Sequence, residues 1–317
     1  MTRRARMCSS DADPANRGGA VPSSRHGQVV SGPPAGSEIA LRAMTPADVE
    51  GGLRLCRASG WNQIARDWQY FLTVNPDGAR VLQKHEQVVG TVTSLRYGPF
   101  GWLAMVLVDP AERGRGFGTR LLGAGLDLLS DLPSTRLDAT PAGEGLYRAR
   151  GFEQEGRLLR MARLPEPLPP CSSFATARPM EPRDLSAVAD WDRAAFGGDR
   201  RVLLDWLHRG APEYAWVVEV SGRLTGYAFG REGFTHHHLG PVVAEDTRTA
   251  LHAVRTCLAS HPDRSFFVDA DDRAPDWIEG LRAMGFVTQR PFLRMALGAG
   301  RFGMPSLLFA SAGPELG

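Results

Sequence analysis

The run Met105-Val106-Leu107-Val108-Asp109-Pro110-Ala111-Glu112-Arg113-Gly114-Arg115-Gly116-Phe117-Gly118-Thr119 is the stretch whose spacing most clearly implies chemistry. An apolar strand ends at Asp109-Pro110, and a glycine-rich turn leads into an amphipathic helix with Leu121, Leu122, Leu126 and Leu129 on one stripe. A helix that starts this way leaves its first N–H groups unpaired, with the positive end of the dipole behind them. Gly114, Gly116 and Gly118 let the backbone come close to an anion because no Cβ intervenes, and Arg113 and Arg115 add positive charge. Such a joint favours binding of a pyrophosphate. No Gly-Lys-Ser/Thr follows, which excludes a P-loop, and Gly114-x-Gly116-x-Gly118 is not the G-x-G-x-x-G of a dinucleotide fold. A strand–turn–helix joint with convenient glycines is the plainer alternative.

Arg113-x-x-Gly116-x-Gly118 after an apolar strand resembles the acetyl-CoA motif of the GNAT superfamily of N-acetyltransferases. Leu146-Tyr147-Arg148-Ala149-Arg150-Gly151-Phe152 resembles that superfamily's downstream motif, at the matching distance. Gly60-Trp61-Asn62-Gln63, Leu137-Asp138-Ala139-Thr140-Pro141 and the second half resemble a bacterial subgroup with two tandem GNAT-like domains, over about residues 38 to 298. The resemblance implies acetyl-CoA as co-substrate and no metal. It places the pantetheine arm along Val106, Leu107 and Val108, and wraps the pyrophosphate with Arg113, Gly114, Arg115, Gly116, Phe117, Gly118 and Thr119. It also implies direct transfer to an amine, with an oxyanion donor from the backbone near Val106 to Val108. Tyr147, four residues before Gly151-Phe152, would protonate the departing thiolate; a helix tyrosine with its hydroxyl at the surface is the bland alternative. No general base is visible. Tyr97, Glu86 and His85 sit near neighbouring strands and read as surface or edge residues.

The elements that must hold these residues come twice. Arg42-Ala43-Met44-Thr45-Pro46-Ala47-Asp48-Val49 resembles Arg178-Pro179-Met180-Glu181-Pro182-Arg183-Asp184-Leu185, and Gly151-Phe152 with Arg160-Met161 matches Gly285-Phe286 with Arg294-Met295. Asp138 matches Asp269, and Val89-Gly90 matches Thr225-Gly226, all at an offset close to 135 residues. Leu164-Pro165-Glu166-Pro167-Leu168-Pro169-Pro170 between them cannot continue a strand or helix. In the first copy the patterns predict strands at Ile39–Arg42, Ala79–Lys84, Val88–Leu95, Trp102–Val108, Arg136–Ala139 and about Leu158–Ala162. Helices are predicted near Pro46, at Ile64–Leu72, from Gly118, and ending near Arg150. The fold class is α/β with a mixed sheet: two tandem GNAT-like domains, the second degenerate. The limits drawn are a disordered tail at 1–37, a catalytic domain at 38–164, a proline-rich linker at 165–173, a degenerate domain at 174–298 and a C-terminal tail at 299–317.

The second copy lacks the cofactor turn. Gly240-Pro241-Val242-Val243-Ala244-Glu245-Asp246-Thr247-Arg248 puts two acids where phosphates would lie, and Leu281 stands in place of Tyr147. This half is expected to shape the acceptor pocket or a dimer surface. His236-His237-His238 invites a metal, but no third ligand is evident, so a strand histidine cluster is favoured. Asp269, Asp271 and Asp272 read as a strand-end turn.

Apolar residues make up 43% of the 317 and charged ones 23%, the balance of a globular protein long enough for two cores. No apolar run reaches membrane-span length and no signal core follows the basic start, so a cytoplasmic protein without membrane association is expected. Cys8, Cys56, Cys171 and Cys257 form no Cys-x-x-Cys pair, against structural zinc or a disulfide framework. The net charge is +2, with +3 of it in residues 1–37, so the remainder is −1 and a nucleic-acid partner is excluded. The leading expectation is an enzyme, monomeric or homodimeric, acetylating a primary amine of a small molecule or peptide. A non-catalytic acyl-CoA-binding regulatory module is the alternative. Met304-Pro305-Ser306-Leu307-Leu308-Phe309-Ala310 is apolar enough to dock. The plainer expectation is a tail packed on its own domain or left loose. The bolder one carries it back to the first domain, with Glu315 or the Gly317 carboxylate near the acceptor amine.

Overall fold

The same local device opens both copies of the repeat. Arg42, on β1 (Ile39–Ala43), donates two hydrogen bonds of 2.7 Å to Asp48, and the Thr45 N–H donates to the same carboxylate at 2.8 Å. Arg178, on β7 (Thr176–Pro179), reaches Asp184 at 2.7 and 3.0 Å, and the Glu181 N–H donates to it at 2.8 Å. A strand is thereby tied to the N-terminus of the helix that follows, which explains why Arg, Pro and Asp recur at fixed spacing.

The computed structural model describes residues 39–170 and 175–317; the expected tail at 1–37, Cys8 and Cys171 lie outside them. After β1 the first copy continues with α1 (Val49–Ala58), α2 (Ala65–Val74), β2 (Ala79–Lys84), β3 (Gln87–Arg96) and β4 (Gly101–Val108). It ends with α3 (Phe117–Asp127), β5 (Ser134–Ala139), α4 (Glu144–Arg148) and β6 (Glu153–Arg163). The second follows β7 with α5 (Leu185–Phe196), α6 (Arg201–Gly210), β8 (Trp216–Val220), β9 (Arg223–Arg231) and β10 (His237–Ala244). It closes with α7 (Thr247–Ser260), β11 (Phe266–Asp271), α8 (Pro275–Ala283), β12 (Val287–Gly298) and a short β13 (Leu308–Ala310). The class is mixed α/β.

All thirteen strands of the described residues join one sheet in the order β1-β2-β3-β4-β5-β12-β6-β11-β13-β10-β9-β8-β7. The last strand of each copy is exchanged: β12 pairs with β5, and β6 pairs with β11. A cut at the proline linker therefore divides the chain but not the sheet. Two buried ion pairs fix the exchange. Arg294 on β12 lies opposite Asp138 on β5 and donates to it at 2.9 and 2.8 Å. Arg160 on β6 lies opposite Asp269 on β11 at 2.8 and 2.7 Å. A buried arginine off its aspartate is strongly unfavourable, so a slip of either strand is penalised. Asp269 thus corrects the strand-end expectation: it sits inside β11, fully buried, while Asp271 pairs with Arg273 just beyond. The recurring glycines mark close helix packing. A Cβ on Gly90 would stand 2.8 Å from Leu121 of α3, and one on Gly226 would stand 2.6 Å from Thr249 of α7.

Candidate active site

Antiparallel strands would close the sheet, but β4 and β5 run parallel and pair at just two positions, Gly101↔Thr135 and Trp102↔Arg136. Beyond Trp102 they separate, and the unpaired edge of β4 faces an opening. A bulge in β4 adds to this. The register against β3 jumps between Thr91 and Thr93, and Met105 takes a left-handed φ of 52° with its carbonyl held by the Thr91 hydroxyl at 2.7 Å. Bulges re-aim backbone groups, and a strained residue of this kind in a cleft marks a functional position.

The glycine turn lies at the mouth of this opening. Gly114 and Gly116 have φ of 76° and 78°, and a Cβ at either would meet nothing within 4 Å. Gly116 caps α3 without a side-chain hydrogen bond, so the N–H groups of Phe117, Gly118 and Thr119 point outward unpaired. The side chain of Arg113 lies back along β4, donating to the Val108 carbonyl at 3.2 Å. Nine of the ten residues expected to hold the cofactor border one cleft of about 1650 Å³, open mouth included. Arg115 does not: it pairs with Glu112 at 2.9 Å, and Glu112 also takes Lys84 at 2.6 Å.

At its inner end the cleft meets a smaller pocket of about 440 Å³, open space included, and Trp61, Val106, Asp138, Thr140, Tyr147 and Arg290 border both. Tyr147 is buried on α4 with its ring edge-on to Phe152 at 5.9 Å. Burial pushes its phenol well above the ordinary value, so it stays protonated as a donor must. The pocket also contains residues the sequence reading did not name for the site: Gln63 from the α1–α2 loop, Arg160 and Arg290 from the two exchanged strands, and Pro314 from the C-terminal tail. Glu315, which the bolder expectation for the tail did name, borders it too. Arg160 and Arg294 were visible as repeat residues, yet nothing local said which half each would enter.

Tyr97 corrects its own expectation as well. It is buried, and its hydroxyl donates to the Leu316 carbonyl at 2.6 Å, while His85 and Glu86 form the β2–β3 turn. Neither acid of the tail is uncommitted: Glu315 bonds Arg231, and the Gly317 carbonyl oxygen accepts from Arg200 at 2.7 Å. The three histidines disperse. His236 stacks on Phe267 at 4.0 Å, His237 tilts against Tyr214, and His238 is buried beside the Ser311 carbonyl at 3.3 Å. Among the described residues there is no group of three or more His, Cys, Asp or Glu able to hold a metal, and no helix long and apolar enough to cross a membrane.

An unpaired strand edge beside a bulge, a glycine turn opening a helix, and a buried tyrosine form the cleft that defines a family of acyl-group transferases. Residues 53–152 match the acetyltransferase (GNAT) family, and residues 188–306 match an acetyltransferase (GNAT) domain. The chain belongs to the GNAT family, carries its domain in tandem and is an acyl- or acetyltransferase. It is 25% identical over 257 residues to the uncharacterized N-acetyltransferase YitH of Bacillus subtilis, covering 75% of this chain and 84% of that protein. To the holothin acyltransferase of a Pseudoalteromonas species it is 25% identical over 268 residues, covering 82% and 88%. In structure it is similar to a protein from Pyrococcus horikoshii (TM-score 0.74, 21% identity, 92% of this chain and 100% of that one). A tandem GNAT protein from the clavulanic acid biosynthesis pathway superposes with a TM-score of 0.59 at 16% identity, over 83% and 99%.

Proposed function

We propose that the chain transfers an acetyl group from acetyl-CoA to a primary amine of a small molecule or peptide, at the β4–β5 opening. The observation that carries this reading is the continuity of the glycine-turn cleft with the inner pocket, with Tyr147 at their junction. The turn fits a pyrophosphate: its two left-handed glycines have open space where a Cβ would be, and the three outward N–H groups of α3 can donate. Val106 and Val108 offer backbone groups to a pantetheine arm. When bound, acetyl-CoA supplies an activated acyl carbon. The re-aimed backbone near Val106 is suited to donate to the oxyanion, and Tyr147 to return a proton to the thiolate. The second half supplies strand β12 and the tail rather than a second cofactor site.

Calorimetry with acetyl-CoA tests the binding: one site per chain is expected, lost in Gly116→Glu, and two equivalent sites would overturn it. Free-thiol release with acetyl-CoA and a panel of primary amines tests the transfer. Binding without release for any amine would instead identify an acyl-CoA-binding regulatory module.

A further inference from the structure

The tail ends in a fixed shape. The Trp102 indole N–H donates to the Pro314 carbonyl at 3.0 Å, Tyr97 holds Leu316 and Arg200 holds Gly317, so Glu315 is pinned on both sides. Gly313 makes the turn with φ of 124°, and a Cβ there would come within 2.8 Å of Arg231 and 3.0 Å of Glu315. Glu315 is 2% exposed, yet it borders the inner pocket. Its Oε1 accepts from Arg231, and its Oε2 has no partner.

The charges around it are shared unevenly. Arg231 on β9 serves two buried carboxylates, Glu315 and Asp67 of α2, the latter at 3.0 Å. Burial, with Glu315 close by, pushes Asp67 up to about 6 against the pull of Arg231, a guanidinium shared by two buried carboxylates. The other acid of the pocket, Asp138, is neutralised by Arg294, and Arg160 is spent on Asp269, while Arg290 borders the pocket with its Nε unpartnered. A second buried acceptor, the Gln63 Oε1, is also unpartnered and also borders the pocket. Buried oxygens of this kind are almost always satisfied. Two of them, one charged, in a pocket that Tyr147 shares, call for a compact group with several N–H donors.

We infer that the inner pocket receives the acceptor as its ammonium form, gripped by Glu315 and Gln63, and that Glu315 is the general base. This rests on the acetyltransferase reading above and adds its missing group. Once seated, the ammonium gives one proton to Glu315, which passes it to water through the cleft. The neutral nitrogen then bonds to the thioester carbon, and the carbon–sulfur bond breaks. The second nitrogen proton passes to Glu315, and Tyr147 protonates the thiolate. Amide, free thiol and one net proton are released once Glu315 and Tyr147 re-equilibrate with water.

Glu315→Gln is the test, because Arg231 keeps Asp67 and glutamine keeps an acceptor in the same volume. Acetyl-CoA affinity by calorimetry should stay within threefold of wild type. Thiol release with any amine the wild type acetylates should fall about 10²-fold or more, with partial recovery in Glu315→Asp. A variant within threefold of wild type overturns the inference. A readout independent of turnover uses n-butylammonium as the probe with CoA-loaded protein. Its melting temperature should rise with the probe in wild type and not in Glu315→Gln; an equal rise in both, or none in wild type, refutes the inference. Failure of wild type to bind acetyl-CoA would instead sink the acetyltransferase reading, and the butylammonium response, then read on the protein without CoA, would still report on Glu315.

Discussion

The two halves open the same gap in the sheet and fill it differently. In the first, β4 and β5 part beyond Trp102 and leave a cleft. In the second, β10 and β11 pair from His237 to Leu239 and then part in the same way, but β13 occupies the gap. Ala310 pairs with Val242 on one side and Ala270 on the other. The tail thus satisfies in the second half the backbone groups that the first leaves to a ligand. The helix ends differ in parallel. Gly116 leaves the start of α3 open, whereas Asp246 caps α7 by accepting from the Thr249 N–H at 2.7 Å, and Glu245 is held by Arg223. A carboxylate stands where an anion would bind, so degeneracy here is occupation by the chain itself.

The largest test of this contrast is to loosen the plug. Phe309 is buried edge-on to Trp277 at 5.5 Å, so Phe309→Ala should lower stability by about 3–5 kcal/mol, read by denaturant unfolding. A loss below ~1 kcal/mol would mean that β13 is a minor brace. In the open half, Tyr147→Phe should reduce turnover about 10²-fold, or ~2.7 kcal/mol of barrier, with acetyl-CoA affinity unchanged. A rate within threefold of wild type would make Tyr147 a packing residue. Smaller still is Asp246→Ala, which should cost about 1 kcal/mol as a lost cap and yet create no second acetyl-CoA site, because β13 still blocks the gap. Calorimetric stoichiometry rising from one to two would break the comparison.

A further expected effect is a pH dependence. Burial pushes His238, beside the tail, down to about 4. The folded chain then binds fewer protons than the unfolded one between its ordinary value near 6.5 and 4, so His238 lowers stability as pH falls through that window. Asp67, pushed up by burial, acts with the opposite sign over part of the same range. The wild-type curve minus that of His238→Gln isolates the effect; a flat difference from pH 7 to 4.5 would rule it out.

What was legible in the sequence was local or repeated. Glycines at a strand–helix joint, apolar periodicity and a tyrosine four residues before Gly151-Phe152 all report on short-range geometry. The strands at Ala79–Lys84 and Gly101–Val108 and the helix from Phe117 lie where those patterns put them, to within a residue. The repeat named Asp138, Arg160, Asp269 and Arg294 but could not say that they pair across the halves. Each arginine faces the same chemistry on either β5 or β11, so exchanged and unexchanged pairings satisfy one pattern equally. The tail poses the same problem. Its Leu-Leu-Phe run demanded burial, yet any apolar cleft would have met that demand. The free edges of β10 and β11 decided where it went, because unpaired backbone groups need partners. That placement in turn brought Glu315 beside Arg231 and into the first half's pocket, a position set by contacts 84 residues or more away in the chain.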